Sequence, residues 1–201
     1  MLVSGIKSRP VYGQLVLDTH ARRHLVAAEG EGGLAVLDCL AAAPAEILAR
    51  ATILYLPGSW PGPELWERLS AIGADVCAAY PTQAALFGRL NDLLGTAGMG
   101  TRLYVSGTEG FIGQVVQLAL AHFIDHNSIV TEHRGSLARR VQCVHCKGIA
   151  ENVTTNVTAC PHCGVSLLVR DHYSRRIGAF MGVCADAEEP GSLPAPERTF
   201  P

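Results

Sequence analysis

Two CxxC turns near the C-terminal end of the chain constrain its structure more than any other sequence feature. Cys143 and Cys146 form the first turn, Cys160 and Cys163 form the second, and 13 residues separate the two turns. Two such turns can present four sulfur atoms, each about 2.3 Å from a common centre, as a tetrahedral metal site requires. The spacing therefore predicts one metal ion bound by four thiolates.

The type of ligand alone does not identify this metal. Four thiolates suit Zn²⁺ and also a single rubredoxin-type iron, so the module is predicted as a zinc-ribbon or rubredoxin-like element. We favour zinc, because a ribbon this short is typical of a structural clip and the sequence has no second redox centre. The alternative of two disulfides or unligated thiols is opposed by the spacing and by the reducing compartment expected for the chain. Gly148 and Gly164 follow the cysteine pairs, where a backbone without a Cβ can turn its amides toward sulfur.

Composition narrows the class of protein. The chain has 201 residues, 48% of them apolar, which is enough material for a real hydrophobic core. The formal net charge of −2 provides no basic surface for phosphates, so we expect no nucleic acid partner. We expect no membrane partner either, because the sequence has neither a long apolar segment nor a signal-peptide pattern. A cytoplasmic location follows from this interpretation.

The region before the cysteines alternates short β-type runs with longer helical ones, which indicates βαβ units on a parallel sheet. The predicted strands are 24–28, 51–58, 74–80, 101–107 and 128–133, and the predicted helices are 33–43, 62–72, 82–94 and 109–125. Pro61 and Pro63 stand at the start of the second helix, and Thr82 can cap the third. We therefore predict a Rossmann-like α/β domain over 1–135, a four-cysteine ribbon with a docking segment over 136–185, and a flexible tail over 186–201.

The runs HLVAAEGEGGLAVLDCL, ATILYLPGSW, RLYVSGTEGFIGQVVQLAL and SIVTEH resemble, in this order, the pyridine-nucleotide half of ferredoxin reductases. The resemblance implies two sets of cofactor-binding residues. Gly30, Gly32 and Gly33 would occupy the pyrophosphate turn, and Ser106, Gly107 and Thr108 the turn that faces the nicotinamide.

The sequence also departs from that family. Glu29 and Glu31 place carboxylates in the turn that would receive a diphosphate, and no Arg follows the second strand to meet a 2′-phosphate. Only 23 residues precede the first strand, where the family has a flavin domain. A nucleotide half without a flavin has no hydride acceptor. We therefore expect either a structural scaffold or a domain that works with another chain, and we treat NAD(P) binding as doubtful.

The segments CVHCKG and ACPHCG, followed by VSLLVRDHYSRRIGAFMGV, resemble the small, non-haem subunit of bacterial dimethylamine monooxygenases across nearly the whole chain. The resemblance implies a cytoplasmic complex in which a haem-bearing oxygenase subunit and a flavin and iron-sulfur reductase subunit are the partners. The chain would bridge these partners and would have no complete active site of its own. The alternative is an NAD(P)H-binding or rubredoxin-like electron-transfer component that serves a flavin on another chain.

The segment after the second CxxC turn is the predicted docking surface. It combines charge with aromatic and hydroxyl groups beside the metal turn, at His172, Tyr173, Arg175 and Arg176. Aromatic residues and Arg are enriched in interface hot spots. Phe180 and Met181 are expected to add an apolar contact surface, and the alternative interpretation is a solvated loop that caps the ribbon.

Overall fold

A computed structural model describes residues 8–58 and 63–201 of the chain. The residues group into two units, one of Tyr12–Gly135 and one that combines Ser136–Pro201 with the described residues 8–11. Pro61, which is predicted to stand at the start of the second helix, lies outside the described residues. Each unit is described by itself below.

Five parallel strands form the sheet of the first unit, in the order β3-β2-β1-β4-β5. Their bounds are β1 (Arg23–Glu29), β2 (Ala51–Leu56), β3 (Val76–Ala79), β4 (Thr101–Gly107) and β5 (Ile129–His133). The predicted parallel α/β domain of five strands is therefore confirmed. Strand β1 lies at the centre and pairs on both edges, with β2 from His24 onward and with β4 from Arg23 onward.

The helices of this unit are α1 (Gly32–Leu40), α2 (Ala45–Leu48), α3 (Pro63–Ser70), α4 (Gln83–Gly95) and α5 (Glu109–Ala121). Thr82 caps α4 as predicted, because its side chain accepts a hydrogen bond from the Ala85 amide.

Helix α5 ends four residues earlier than predicted. The chain turns there because Phe123 adopts a left-handed conformation with φ 59°, which cannot continue an α-helix. A short 3₁₀ turn then leads into β5.

Helices cover both faces of the parallel sheet, and the side chains of β1 alternate between them. Leu25 and Ala27 face the apolar cluster that contains α4 and α5, whereas Val26 and Ala28 face the cluster that contains α1 and α3. All four side chains are at most 2% exposed. A strand buried on both faces has the near-continuous apolar sequence that LVAA displays.

The segment before β1 lies along the outer edge of β5. The amide of Gly13 donates to the Thr131 carbonyl at 3.3 Å, and the amide of Leu15 donates to the Glu132 carboxylate at 2.7 Å. Glu132 is 7% exposed and also pairs with Arg134 at 2.6 Å. A buried carboxylate needs such partners, so this contact holds the segment in place.

The second unit is built on a five-stranded sheet in the order β7-β6-β10-β9-β8. Its strands are β6 (Arg139–Cys143), β7 (Ile149–Val153), β8 (Val157–Ala159), β9 (Ser166–Ser174) and β10 (Ala179–Cys184). Strands β9 and β10 form an antiparallel hairpin, while β10 also pairs in parallel with β6. The sequence predicted a strand only over SLLVR, residues 166–170. The observed strand β9 is four residues longer and includes Asp171–Ser174.

The far end of the predicted flexible tail packs on the ribbon, which corrects that expectation for residues 197–201. The amides of Thr199 and Phe200 both donate to the Thr154 carbonyl, at 3.0 and 2.9 Å. Phe200 is 7% exposed, and its ring lies over the guanidinium of Arg139 at 3.8 Å. The Phe180 ring covers the same guanidinium at 3.9 Å, so Arg139 lies between two aromatic rings. Such contacts are favourable when water is excluded.

We expect Phe200→Ala to lower the free energy of unfolding of the ribbon by about 3 kcal/mol, because it removes a buried ring and one face of the Arg139 contact. Urea unfolding of the metal-loaded chain measures the change. Leu193→Ala is the matched control in the same tail, since Leu193 is 54% exposed and its removal should change stability by less than about 0.5 kcal/mol. Equal unfolding curves for the two variants would contradict the assigned role of Phe200.

Candidate metal centre and sheet crevice

The sulfur atoms of Cys143, Cys146, Cys160 and Cys163 all lie within 4.8 Å of one another. The distance between the Cys143 and Cys163 sulfurs is 3.8 Å, and that between the Cys146 and Cys160 sulfurs is 3.6 Å. A tetrahedron with metal–sulfur bonds of about 2.3 Å has edges of roughly 3.8 Å. The four cysteines are therefore placed as the ligands of one metal ion.

The two CxxC turns have equivalent backbone structures. The Lys147 amide donates to the Cys143 carbonyl at 3.0 Å, and the Gly164 amide donates to the Cys160 carbonyl at 2.9 Å. Lys147 and Gly164 both adopt positive φ, at 64° and 77°. Gly148 therefore lacks the role expected from the sequence, because the left-handed position of the first turn belongs to Lys147.

The pKa values of the cysteine thiols indicate how the site ionises. Burial raises the pKa of Cys160, but the amides of His162 and Cys163 and the thiols of Cys163 and Cys146 bring it down to about 6. At Cys163 the Val165 amide lowers the pKa, whereas burial and the other three thiols raise it to about 12. Crowding with the other thiols therefore opposes ionisation of Cys163, and a cation bound between the sulfurs would offset this cost.

The sheet crevice lies where the strand order changes direction. The connection after β1 crosses one face of the sheet through α1, and the connection after β4 crosses the other face through α5. In open α/β sheets, ligands bind at such a switch point, outside the carboxyl ends of the strands. Gly30 and Gly32 lie at this point beside the second predicted turn, Ser106–Thr108. Gly33 instead faces the side chains of Leu65 and Leu69 on α3.

Gly32 is required here by the close approach of two backbone segments. A Cβ atom on Gly32 would lie 2.2 Å from the Ser106 carbonyl oxygen and 2.8 Å from the Gly107 nitrogen. Any larger residue would push the start of α1 away from the end of β4. Gly32 therefore allows the start of α1 to pack against the end of β4. Its position alone does not distinguish a scaffold from a nucleotide site.

A carboxylate of the protein already occupies the start of α5. One oxygen of Glu29, at the end of β1, accepts hydrogen bonds from the Thr108 amide at 3.2 Å and from the Thr108 hydroxyl at 2.6 Å. The N-terminus of a helix attracts anions through its free amides and its dipole. Glu29 supplies such an anion from inside the chain, so any further anion that approached the Ser106–Thr108 turn would meet a negative charge.

The predicted docking residues lie on β9 and on the turn that follows it. His172, Arg175 and Arg176 are exposed, as an interface requires. Tyr173 is half-buried, and its ring packs edge-on against Phe180 at 5.0 Å. Phe180 is 1% exposed and belongs to the core of the ribbon, so the expectation that it adds an apolar contact surface is wrong.

Sequence reasoning missed the role of Arg139. This residue is 2% exposed and pairs with Asp171 at 2.7 Å between the two aromatic rings. Asp171 also lies 3.8 Å from Arg9. No local pattern could reveal this set, because Arg139, Asp171, Phe180 and Phe200 lie on β6, β9, β10 and the C-terminal tail, which are distant from one another in sequence.

Within residues 8–58 and 63–201, no helix is long and apolar enough to cross a membrane.

We expect Cys143→Ser or Cys160→Ser to abolish metal binding and unfold the ribbon, because ligand loss removes the binding free energy that maintains so small a module. Metal analysis of the purified chains should give one equivalent for the parent and none for either variant. Cys184→Ser is the control, since Cys184 belongs to the same unit but lies outside the four-sulfur cluster. A full equivalent of metal in the Cys143 and Cys160 variants would contradict this assignment.

Comparison with known proteins agrees with the two units. A family model described as dimethylamine monooxygenase subunit DmmA-like, N-terminal domain, matches residues 4–129, and the corresponding C-terminal domain model matches residues 140–183. The heme-dependent oxidative N-demethylase delta subunit of Ectopseudomonas mendocina (strain ymp) is 37% identical over 111 residues. That alignment spans 55% of this chain and 63% of the relative's own length.

Solved structures are more distant. Phthalate dioxygenase reductase is 15% identical with a TM-score of 0.46, over 68% of this chain and 46% of that chain. An intact type IV self-sufficient cytochrome P450 monooxygenase is 20% identical with a TM-score of 0.45, over 84% of this chain and 26% of that chain. These low scores add nothing to what the chain's own geometry establishes. The family models match both units, and the chain belongs to the dimethylamine monooxygenase subunit DmmA-like family.

Proposed function

We propose that this chain is a subunit of a multicomponent haem-dependent N-demethylase that oxidises dimethylamine. The observation that carries the proposal is the family match over both units, residues 4–129 and 140–183. The name of the relative, a delta subunit of a heme-dependent oxidative N-demethylase, supports the same class of reaction. Haem, flavin and iron-sulfur cofactors then belong to partner subunits in the cytoplasm, and this chain bridges the reductase and oxygenase subunits.

The sheet unit acts in this proposal as a scaffold. The geometry in support is the contact between Glu29 and Thr108, which places a protein carboxylate at the start of α5. The half-buried residue Glu31 precedes α1 at its N-cap position and makes no side-chain capping bond, so a second negative charge opposes a diphosphate. Like charges at this distance disfavour anion binding.

The ribbon holds zinc and presents the docking segment. A closed site of four cysteines is typical of structural zinc, and a metal that fixes the turns also fixes the neighbouring strands. Strand β9 begins at Ser166, three residues after Cys163, and its hairpin with β10 exposes His172, Arg175 and Arg176. A rigid support lowers the ordering cost of binding. These exposed side chains, together with the ring of Tyr173, are the proposed contact with the catalytic subunits.

An electron-transfer component is the second candidate, and one observation favours it. All the residues predicted to hold a pyridine nucleotide, except Gly33, lie at the switch point of the sheet, where ligands of open α/β folds bind. In this alternative the sheet binds NAD(P)H for a flavin on another chain, or the four-cysteine site holds iron and transfers electrons as rubredoxin-like sites do.

Nucleotide titration distinguishes the two candidates. We expect NADH and NADPH to bind the metal-loaded chain only in the millimolar range, about −4 kcal/mol, because Glu29 and Glu31 oppose the diphosphate. Isothermal calorimetry measures the affinity of the parent chain for each nucleotide. Micromolar binding by the parent chain would contradict the scaffold and favour the electron-transfer candidate.

Assembly tests the docking surface. We expect the double variant Arg175→Ala/Arg176→Ala to lose association with the haem-bearing subunit by at least about tenfold, because hot-spot arginines contribute more than 1 kcal/mol. Co-purification and turnover of dimethylamine measure the effect, while metal content should stay at one equivalent. Arg68→Ala/Arg89→Ala is the control, since both arginines are exposed on helices of the sheet unit. Normal assembly of the first variant would overturn this docking surface.

A further inference from the structure

His162 belongs to the second CxxC turn, but its ring reaches the first. Its Nε2 atom lies 2.9 Å from the carbonyl oxygen of Ile149, the residue that begins β7 directly after the first turn. A carbonyl can only accept, so Nε2 carries the proton and donates it. His145 holds the same position in the first turn.

Gly148 provides the space for this ring. A Cβ atom on Gly148 would lie 2.3 Å from Cδ2 and 2.7 Å from Cγ of His162. The backbone of Gly148 has no positive φ, unlike that of Gly164. The first turn therefore needs a glycine here to admit the imidazole, and backbone conformation alone would accept another residue.

The same histidine also contacts a ligand sulfur. Its backbone N–H donates to the Cys160 thiol and lowers the pKa of that thiol. On the opposite side, the Gly148 carbonyl accepts from the Cys143 amide at 2.9 Å. His162 thus contacts both buried ligands indirectly or directly. Its ring lies against Gly148, which bonds the Cys143 backbone, and its amide bonds the Cys160 sulfur. These two cysteines come from different turns.

We propose that His162 is a positioning residue that holds the two CxxC turns together and slows release of the metal. Separation of the turns speeds release, because each turn contributes two of the four sulfurs. The hydrogen bond to Ile149 and the contact with Gly148 both break when the turns separate. Groups that orient metal ligands in this way typically change metal affinity by roughly ten- to a hundredfold. The inference rests on the four-cysteine site alone and does not depend on the N-demethylase assembly.

Zinc release from the full-length chain tests the proposal. The zinc-loaded parent and variants are mixed with an excess of a chromogenic chelator, and the rate of complex formation is recorded. We expect His162→Ala to release zinc roughly tenfold faster than the parent, and His145→Ala to release it at the parent rate. Equal rates for the His162 and His145 variants would overturn the proposal.

A double-mutant cycle separates the ring contact from a general loosening of the turn. Gly148→Ala should also speed release, because the methyl group displaces the imidazole. Combined with His162→Ala it should add nothing further, since the ring it displaces is already gone. Additive effects of the two changes would mean that Gly148 acts independently of His162, and would overturn the proposed contact.

Cobalt titration covers the case in which the His162→Ala chain is purified without zinc. Thiolate-to-cobalt absorption reports both the number of sulfur ligands and the affinity. We expect four sulfur ligands in every variant and an affinity at least about tenfold lower for His162→Ala than for His145→Ala. Equal cobalt affinities would overturn the proposal, and failure of the parent chain to bind either metal would instead refute the four-cysteine site.

Discussion

The chemistry of the parallel sheet depends on the close approach of two backbone segments at Gly32 and Ser106. Only glycine fits where a Cβ atom would lie 2.2 Å from a carbonyl oxygen, and this contact brings the turn after β1 beside the turn after β4. Glu29 thereby comes within hydrogen-bonding distance of Thr108. The same packing that brings the two turns together thus places a carboxylate at the start of α5. The shape of the fold alone does not distinguish a scaffold from a cofactor site.

The ribbon is organised by a different constraint, the convergence of four cysteine sulfurs from two turns. Cys143 and Cys160 are buried within the small apolar core, so the cluster is both a ligand set and a part of the interior. Arg139 extends this arrangement, because its charge is paired with Asp171 and its faces are covered by Phe180 and Phe200. A module of this size has few apolar residues, so a metal held by the four cysteines would add to its stability, as does the packing of Arg139 between two rings.

Local patterns in the sequence predicted much of the sheet unit and the metal ligands. Alternating apolar runs identified all five strands, and the CxxC spacing identified four sulfurs that converge. The four-residue helix α2 was missed, because one turn after Pro44 leaves no measurable periodicity. The parallel pairing of β6 with β10 and the burial of Phe200 were also missed. Both arise from contacts distant in sequence, which periodicity and spacing cannot report.

The segment along β5 has a consequence for how other polypeptides can join this sheet. A strand at the edge of a sheet offers unpaired amides and carbonyls to any extended chain that approaches it. At β5 the chain's own Gly13 and Leu15 already lie against Thr131 and Glu132, so backbone augmentation is blocked there. The opposite edge is β3, which is only four residues long and therefore a poor template for an added strand. Neither edge therefore offers a long free strand, which favours recognition of the sheet unit through its side chains, and side chains can change while the fold stays the same.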